Sequence, residues 1–260
     1  MRRQIPSLAA TLGAAVLAAT AGLTAAPAEP TVATTVVEAR PLDGKIVHLD
    51  AGHNGGNASA PSTINALVDA GGGVRKACDT TGTETNDRKL TEAAFNLDVA
   101  QRLERLLERR GATVVMTRRS NRGVGPCITR RAAIGNEAGA DAAVSIHADG
   151  GPATGRGFHV IRPKGVSGQD RAMLDASDRL GRRIRTALRA KGYRPATYIA
   201  RQGLDLRDDL GGLNLSEVPK VFAELGNMRN AADARLLKST RHRERMAEAL
   251  ADALTTQLTS

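Results

Sequence analysis

The chain has 260 residues with a formal net charge of +10, and 41% of its residues are hydrophobic. This length and balance are typical of one ordinary folded domain and exclude a disordered chain. Aromatic residues make up only 2% of the chain and tryptophan is absent. The chain is therefore poorly supplied with stacking surfaces for single-stranded nucleic acid, and we expect no nucleic-acid partner.

The first 28 residues have the pattern of a secretory signal peptide. Two arginines are followed by the apolar run Leu8–Leu23 and by Ala26-Pro27-Ala28, which is typical of a cleavage site. The alternative is a membrane anchor, but the run is short for a spanning helix and glycines interrupt it. We therefore expect secretion to the cell envelope, with cleavage and without stable membrane insertion.

The remainder is predicted to contain a linker at residues 29–44 and one catalytic domain at residues 45–260. No internal repeat is evident, and no later stretch is apolar enough to span a bilayer. For an exported protein, the positive charge favours a polyanion of the cell envelope as partner. The alternative is an arginine-rich surface that is simply solvated. We expect a monomer.

The clearest predicted helix is Thr91–Arg110, in which leucines and alanines recur every three or four residues before Gly111. The segment Asn54–Arg88 is predicted to be a long polar loop, and Leu204–Pro219 to be mostly loop. Alternating strands and helices favour an α/β three-layer sandwich. The other predicted helices are Thr129–Ala138, Asp170–Lys191 and Arg241–Leu258. The predicted strands are Lys45–Asp50, Ala112–Thr117, Ala142–His147, Gly157–Ile161, Thr197–Ala200 and Val221–Leu225.

The only two cysteines are Cys78 and Cys127, and they predict one disulfide, since an isolated pair in an oxidising compartment is most simply bonded. The bond would close a loop of about 50 residues and contribute on the order of 4 kcal/mol in the chain-entropy model. The alternative is a pair of zinc ligands, which lacks the support of a CxxC motif or of a neighbouring histidine.

Three predicted strands end in residues that can bind a metal or transfer a proton. Lys45–Asp50 runs into His53, Ala142–His147 ends in a histidine, and the strand that begins at Val221 runs into Glu224. Ligands of open α/β sheets lie outside the carboxyl ends of the strands. We therefore expect these side chains to share one site.

A catalytic zinc ion usually has three protein ligands and one open position. His53 and His147 are candidates because each lies at a strand end beside loop residues. Glu92 is the third candidate because it starts a helix, and its alternative role is to stabilise the helix dipole. Glu224 follows apolar residues, where a carboxylate is costly unless it is paired, metal-bound or catalytic. The histidines expected to have structural or surface roles are His48, His159 and His242.

Four short motifs follow one another along the chain. They are Leu49-Asp50-Ala51-Gly52-His53, Glu92 with Asn96, Ser145-Ile146-His147-Ala148-Asp149 and Ala223-Glu224-Leu225-Gly226-Asn227-Met228. In this order they resemble the zinc-dependent N-acetylmuramoyl-L-alanine amidases of the family-3 type. The resemblance runs from about Lys45 to Leu258 and is strongest to the compact secreted form of mycobacteria and other actinobacteria, which has no separate wall-binding module.

The resemblance implies that His53, Glu92 and His147 bind Zn²⁺ and that Glu224 is the catalytic carboxylate. It also implies a mixed, mostly parallel sheet of about six strands with flanking helices. The implied substrate is peptidoglycan or its muramyl-peptide fragments, cut between N-acetylmuramic acid and L-alanine. Zinc would act as a Lewis acid while Glu224 transfers the proton from water to the leaving amine.

Three further residues are candidates for supporting the ligands. Asn96 lies one helical turn after Glu92 and shares its face. Arg131 matches the family's arginine before the third ligand, with a structural salt bridge as its alternative role. Asp149 stands where the family most often has asparagine, and it is expected either to hold His147 or to cap a turn.

Two other functions remain open. A zinc peptidase or carboxypeptidase acting on the stem peptide would share the metal, although the order of the motifs disfavours it. A non-catalytic wall-binding module would share the fold, but it would have no reason to keep a carboxylate at Glu224.

Overall fold

The structure, a computed structural model, describes residues 39–260, so the predicted signal peptide and most of the predicted linker lie outside the described residues. The strands are β1 Ile46–Ala51, β2 Leu67–Asp69, β3 Arg75–Ala77, β4 Thr113–Met116, β5 Ala142–Asp149, β6 His159–Pro163, β7 Leu204–Arg207 and β8 Lys220–Asn227. The helices are α1 Pro61–Ile64, α2 Glu92–Arg109, α3 Ile128–Glu137, α4 Arg171–Ala190, α5 Gly211–Asn214, α6 Ala231–Lys238 and α7 Thr240–Leu258.

Six strands form one sheet in the order β4-β1-β5-β8-β6-β7. All neighbouring pairs are parallel except β6 and β8, which are antiparallel. The mixed, mostly parallel sheet implied by the resemblance is confirmed. Because β1, β5 and β8 are neighbours, their carboxyl ends meet at one edge, as their terminal residues predicted.

The two faces of the sheet have different chemistry. Alternate residues of the central strands are apolar and form the core with α2, α4 and α7; examples are Leu49, Ile146 and Ala223. The intervening residues point to the opposite face, where Gly135 of α3 lies against His48 and Gly212 of α5 lies against Phe222. This confirms the three-layer sandwich. It also places the polar side chains of the strands together on the α3–α5 face.

Helix α2 is fixed at both ends by its sequence. The side chain of Thr91 caps the helix by accepting a hydrogen bond from the backbone N–H of Ala94. Gly111 follows the last turn with φ of +103°, and a Cβ there would lie 2.4 Å from the Asp43 carboxylate. These ends place Glu92 in the first turn, where it is buried at the carboxyl edge of the sheet.

The segment Asn54–Arg88 is not the structureless loop that its composition predicted. It contains a 3₁₀ turn, the short helix α1 and the antiparallel hairpin β2–β3. The hairpin strands have three residues each and are half-exposed, so they carry too few alternating positions to be recognised. The segment is held to α3 by the predicted disulfide between Cys78 and Cys127, which the structure contains.

Other errors in the predicted elements lie near the last strands. Thr197–Ala200 is not a strand, because Ala200 has φ of +66°, which is incompatible with extended backbone. The edge strand is instead β7, inside the segment that was predicted to be mostly loop and that also contains α5. Helix α6 was not predicted; it has only eight residues and begins at the cap residue Asn230.

Candidate metal and catalytic site

The three predicted ligands form one cluster. One donor atom each of His53, Glu92 and His147 lies within 4.8 Å of the other two. Oε1 of Glu92 is 3.2 Å from Nε2 of His53 and 2.9 Å from Nδ1 of His147. The loop after β1, the start of α2 and the end of β5 therefore meet at one point, as the sequence predicted.

Two features of the backbone make this convergence possible. His53 has φ of +56°, an unfavourable conformation for a residue with a side chain, and it costs about 1 kcal/mol or more. Gly52 lies directly against the His147 ring, since a Cβ at this position would be 2.1 Å from Cε1 of His147. Glycine is therefore required between β1 and His53 for the His147 ring to reach the cluster.

His53 is oriented from behind by a carboxylate that the sequence did not single out. Nδ1 of His53 is 3.1 Å from Oδ1 of Asp79, which leaves Nε2 facing Glu92. The other oxygen of Asp79 accepts a hydrogen bond from Nη2 of Arg131 at 2.9 Å. Asp79 directly follows Cys78, so the disulfide holds it near α3. No periodic pattern marks Asp79, and its cysteine neighbour is the only pointer to it in the sequence.

His147 is oriented by a second set of buried groups. Nε2 of His147 is 3.2 Å from Oγ of Ser145, which donates a hydrogen bond to Asp50 at 2.9 Å. Asp50 also forms buried ion pairs with Arg131 at 2.9 Å and with Lys220 at 3.2 Å. Burial alone would raise the pKa of Asp50, but these two cations hold it well below its usual value of 3.8.

The charges of the cluster favour a cation at its centre. Burial alone would lower the pKa of His53, but the Glu92 and Asp79 carboxylates raise it to about 10. Burial opposes ionisation of Glu92, yet the two histidines lower its pKa below the usual 4.5. Burial lowers the pKa of His147 below the usual 6.5, which favours the neutral ring. Two imidazoles and one carboxylate are a donor set typical of catalytic zinc, so the residues present fit that ion.

Glu224 lies beside the cluster without being part of it. It is the direct strand partner of His147 in the β5–β8 pair, so both side chains point to the α3–α5 face. No group among residues 39–260 forms a hydrogen bond with its buried Oε2. Burial, followed by repulsion from Glu92 and Asp149, raises the pKa of Glu224 well above 4.5. This carboxylate is therefore placed to exchange a proton with a group that enters the site.

The cluster and Glu224 line a cleft of about 540 Å³. The ring of Phe222 forms part of its floor and stacks on His147, with ring centroids 4.9 Å apart. Lys76 of the β2–β3 hairpin lies on one wall and forms an ion pair at 2.9 Å with Asp209, which follows β7. The cleft is thus large enough for a small-molecule group or a peptide segment.

The three residues predicted to support the ligands have different roles in the structure. Asn96 is fully buried and donates to the backbone oxygen of Gly52 at 3.1 Å. Arg131 forms buried ion pairs, which was its alternative role, and through Asp79 it reaches His53. Asp149 accepts a hydrogen bond from the Tyr198 hydroxyl at 2.8 Å, while the ring nitrogens of His147 face other groups.

The three remaining histidines lie outside the ligand cluster. His48 is buried in β1 and forms a hydrogen bond with Thr117 at 2.9 Å. His159 is buried in β6, opposite Glu224 in the strand pairing. His242 lies beside the Tyr193 hydroxyl at 3.2 Å in the first turn of α7.

Comparison with known proteins assigns the chain to a family. A family model described as N-acetylmuramoyl-L-alanine amidase matches residues 47–256. The N-acetylmuramoyl-L-alanine amidase Rv3717 of Mycobacterium tuberculosis is 37% identical over 231 residues, which are 88% of this chain and 92% of the relative.

Two crystal structures of relatives have the same fold. The N-acetylmuramyl-L-alanine amidase Ami1 of Mycobacterium smegmatis is 40% identical, with a TM-score of 0.78, over 84% of this chain and 98% of its own. Ami1 of Mycobacterium abscessus is 41% identical, also with a TM-score of 0.78, over 84% of this chain and 100% of its own. The chain described here belongs to the family-3 N-acetylmuramoyl-L-alanine amidases.

Proposed function

We propose that this protein is a zinc-dependent hydrolase that cleaves the amide bond between N-acetylmuramic acid and L-alanine in peptidoglycan. The observation that carries this proposal is the buried cluster of His53, Glu92 and His147 with Glu224 as its neighbour. It occurs in a chain that belongs to an amidase family, and the relatives named above are themselves amidases.

Three side chains would hold the metal. They are His53 through Nε2, His147 through Nδ1 and Glu92 through its carboxylate, because the other ring nitrogens face Asp79 and Ser145. A zinc ion held there supplies a Lewis acid that lowers the pKa of water and polarises the scissile carbonyl.

Glu224 would be the proton carrier. Its raised pKa and its unpartnered oxygen allow it to accept a proton from the attacking water. It would then donate that proton to the amine of L-alanine as the amide bond breaks. Hydrolysis by this route needs no covalent intermediate between enzyme and substrate. A divalent cation on the neighbouring ligands would lower the pKa of Glu224 towards the value that suits a base at neutral pH.

We also propose that this activity takes place in the cell envelope. Residues 1–28 would be a cleaved signal peptide, residues 29–44 a linker and residues 45–260 the catalytic domain, acting as a secreted monomer in the cell envelope. The signal-like N-terminal pattern and the disulfide support export, because disulfides persist in oxidising compartments. Among the described helices, none is long and apolar enough to cross a membrane.

Mass spectrometry of digested muramyl-peptides tests the proposed bond. Zinc-loaded protein should release a free lactyl carboxylate and an intact stem peptide that begins with L-alanine. A shortened stem peptide would indicate a peptidase instead. Unchanged fragments would indicate a binding module.

A further inference from the structure

One guanidinium connects the groups behind both histidine ligands. Nη1 of Arg131 donates to Oδ1 of Asp50 and Nη2 donates to Oδ2 of Asp79, each at 2.9 Å. Only 5% of the Arg131 side chain is exposed, and the exposed fractions of the Asp50 and Asp79 side chains are 2% and 5%. In such surroundings an arginine that bridges two carboxylates fixes both of them in position and keeps both ionised.

The first arm leads from Arg131 to His53. Asp79 accepts from Arg131 with one oxygen, while its other oxygen lies 3.1 Å from Nδ1 of His53 and accepts from the backbone N–H of Thr80 at 2.7 Å. A carboxylate at Nδ1 keeps the proton on that nitrogen and leaves Nε2 as the donor atom. Such a contact also fixes the plane of the ring and increases its basicity.

The second arm leads from Arg131 to His147. Asp50 accepts from Ser145, whose hydroxyl lies 3.2 Å from Nε2 of His147. This leaves Nδ1 of His147 as the atom that faces Glu92. The two histidines therefore present different ring nitrogens to the cluster, Nε2 of His53 and Nδ1 of His147. The other nitrogen of His53 contacts Asp79, and that of His147 is connected to Asp50 through Ser145.

All three guanidinium nitrogens of Arg131 donate hydrogen bonds in this arrangement. Besides the two carboxylates, it donates to the backbone oxygens of Ala51, His53 and Pro126, at 2.9, 3.0 and 2.8 Å. It thus also holds the backbone on both sides of Gly52. A lysine has three donors on one nitrogen and cannot make this set of contacts.

We propose that Asp79 and Arg131 are positioning residues that set the metal affinity of the site. Asp79 fixes the His53 ring directly, and Arg131 acts on both histidine ligands through the two carboxylates. This inference rests on the proposed function, because it takes the cluster to be the zinc site.

The test is the zinc affinity of Asp79→Asn, measured by competition with a chromophoric chelator. Loss of a group that orients a histidine ligand typically weakens metal binding by about 10- to 100-fold, and that loss is expected here. Asp98→Asn is the matched control, because it removes a carboxylate that pairs with Arg102 and Arg243 away from the ligands. The control should keep the zinc affinity of the wild type.

A spectroscopic readout separates positioning from a general effect on folding. In the zinc-loaded wild type, proton NMR should show a downfield, slowly exchanging Nδ1 proton of His53. This signal should shift upfield in Asp79→Asn at an unchanged melting temperature. If Asp79→Asn does not fold, Ser145→Ala tests the other arm and should also bind zinc more weakly.

Arg131→Lys tests the connection between the two arms. It should weaken zinc binding. In the double variant with Asp79→Asn, the loss of zinc-binding free energy should be smaller than the sum of the losses in the two single variants, because the arginine acts partly through that carboxylate. Arg102→Lys is the control, since Arg102 is also largely buried but pairs with Asp98 and Glu244, away from the ligand cluster.

The experiments distinguish a failure of this inference from a failure of the proposed function. Wild-type affinity and an unshifted His53 signal in Asp79→Asn would overturn this inference while the proposed function stands. Absence of zinc binding by the wild type would overturn both.

Discussion

Gly52 shows how closely individual residues control the site. Its position between β1 and His53 leaves no room for a side chain, because the His147 ring occupies the space of a Cβ. Gly82 has a similar role on the other side, where a Cβ would lie 2.8 Å from the His53 ring and 2.9 Å from Glu92. The side chains of His53, Glu92 and His147 are thus packed against backbone, and their geometry depends on glycines that have no side chain.

Gly52→Ala is expected to displace the His147 ring and weaken zinc binding. The added methyl group must move either the ring or the backbone, and a misplacement of about 1 Å at a catalytic group can cost on the order of 100-fold in rate. Chelator competition and turnover on one preparation check this, with circular dichroism as the test of folding. Wild-type zinc affinity in a folded Gly52→Ala protein would contradict the described contact.

Zinc binding is expected to release protons. The pKa of His53 is raised to about 10 in the metal-free protein, so at neutral pH this ring is protonated and must lose a proton to become a ligand. Affinity should therefore rise with pH below about 10, by about tenfold per pH unit for one displaced proton. Calorimetry in buffers of different ionisation enthalpy counts the protons. A count of zero would contradict the protonated state of His53.

The sequence predicted that His53, Glu92, His147 and Glu224 share one site because each lies at a strand end or helix start within a recognisable motif, and in the structure these side chains lie together. Asp79 could not be predicted in the same way. It lies in a polar segment without periodicity, and its contacts with His53 and Arg131 join residues 26 and 52 positions apart. Only the fold brings these residues together.

At the scale of elements, prediction succeeded where burial imposes a pattern. Helix α2 and strands β1, β5 and β8 have long apolar repeats. Each of their bounds lies within two residues of the predicted one. The hairpin β2–β3 and strand β7 were missed because they are short and partly exposed. Tertiary hydrogen bonds determine such elements, and Asn214 illustrates this by donating to the backbone oxygen of Ala70 in the hairpin segment.

Replacing both cysteines with serine is expected to lower the stability of the domain. The disulfide joins residues 49 positions apart, and a loop of this length corresponds to about 4 kcal/mol in the chain-entropy model. Urea unfolding of the metal-free double variant and the wild type measures the difference. Equal free energies of unfolding would show that the bond does not constrain the unfolded chain as expected.

For the whole molecule, the sheet separates stability from chemistry. The apolar face with α2, α4 and α7 contains most of the core, whereas the α3–α5 face contains buried polar groups that include His48, Asp50 and Lys220. Burying polar groups is costly unless they are paired. Their pairing beneath the ligand cluster gives this face a function that an apolar core could not perform.

His48 should make the stability of the whole domain depend on pH. Burial, then the nearby Lys220, lowers its pKa from 6.5 to about 4, so the fold favours the neutral ring. Its contribution is fully present above pH 6.5, and it is lost as the pH falls from there to about 4, because the unfolded chain takes up the proton first. Unfolding free energies of wild type and His48→Gln across this range should differ in slope, with the variant less sensitive to acid. Parallel curves would contradict the buried neutral state.

The central claim is that three side chains bind the metal while a fourth, Glu224, carries the proton. Glu224→Gln tests it most directly, because the substitution keeps the shape of the side chain and removes the base. Zinc content, melting temperature and turnover of a muramyl-peptide are measured on one preparation. Zinc should stay near one ion per chain and the melting temperature near that of the wild type, while turnover falls by about 100-fold or more. A stable, zinc-loaded variant with near wild-type turnover would contradict the assignment of Glu224.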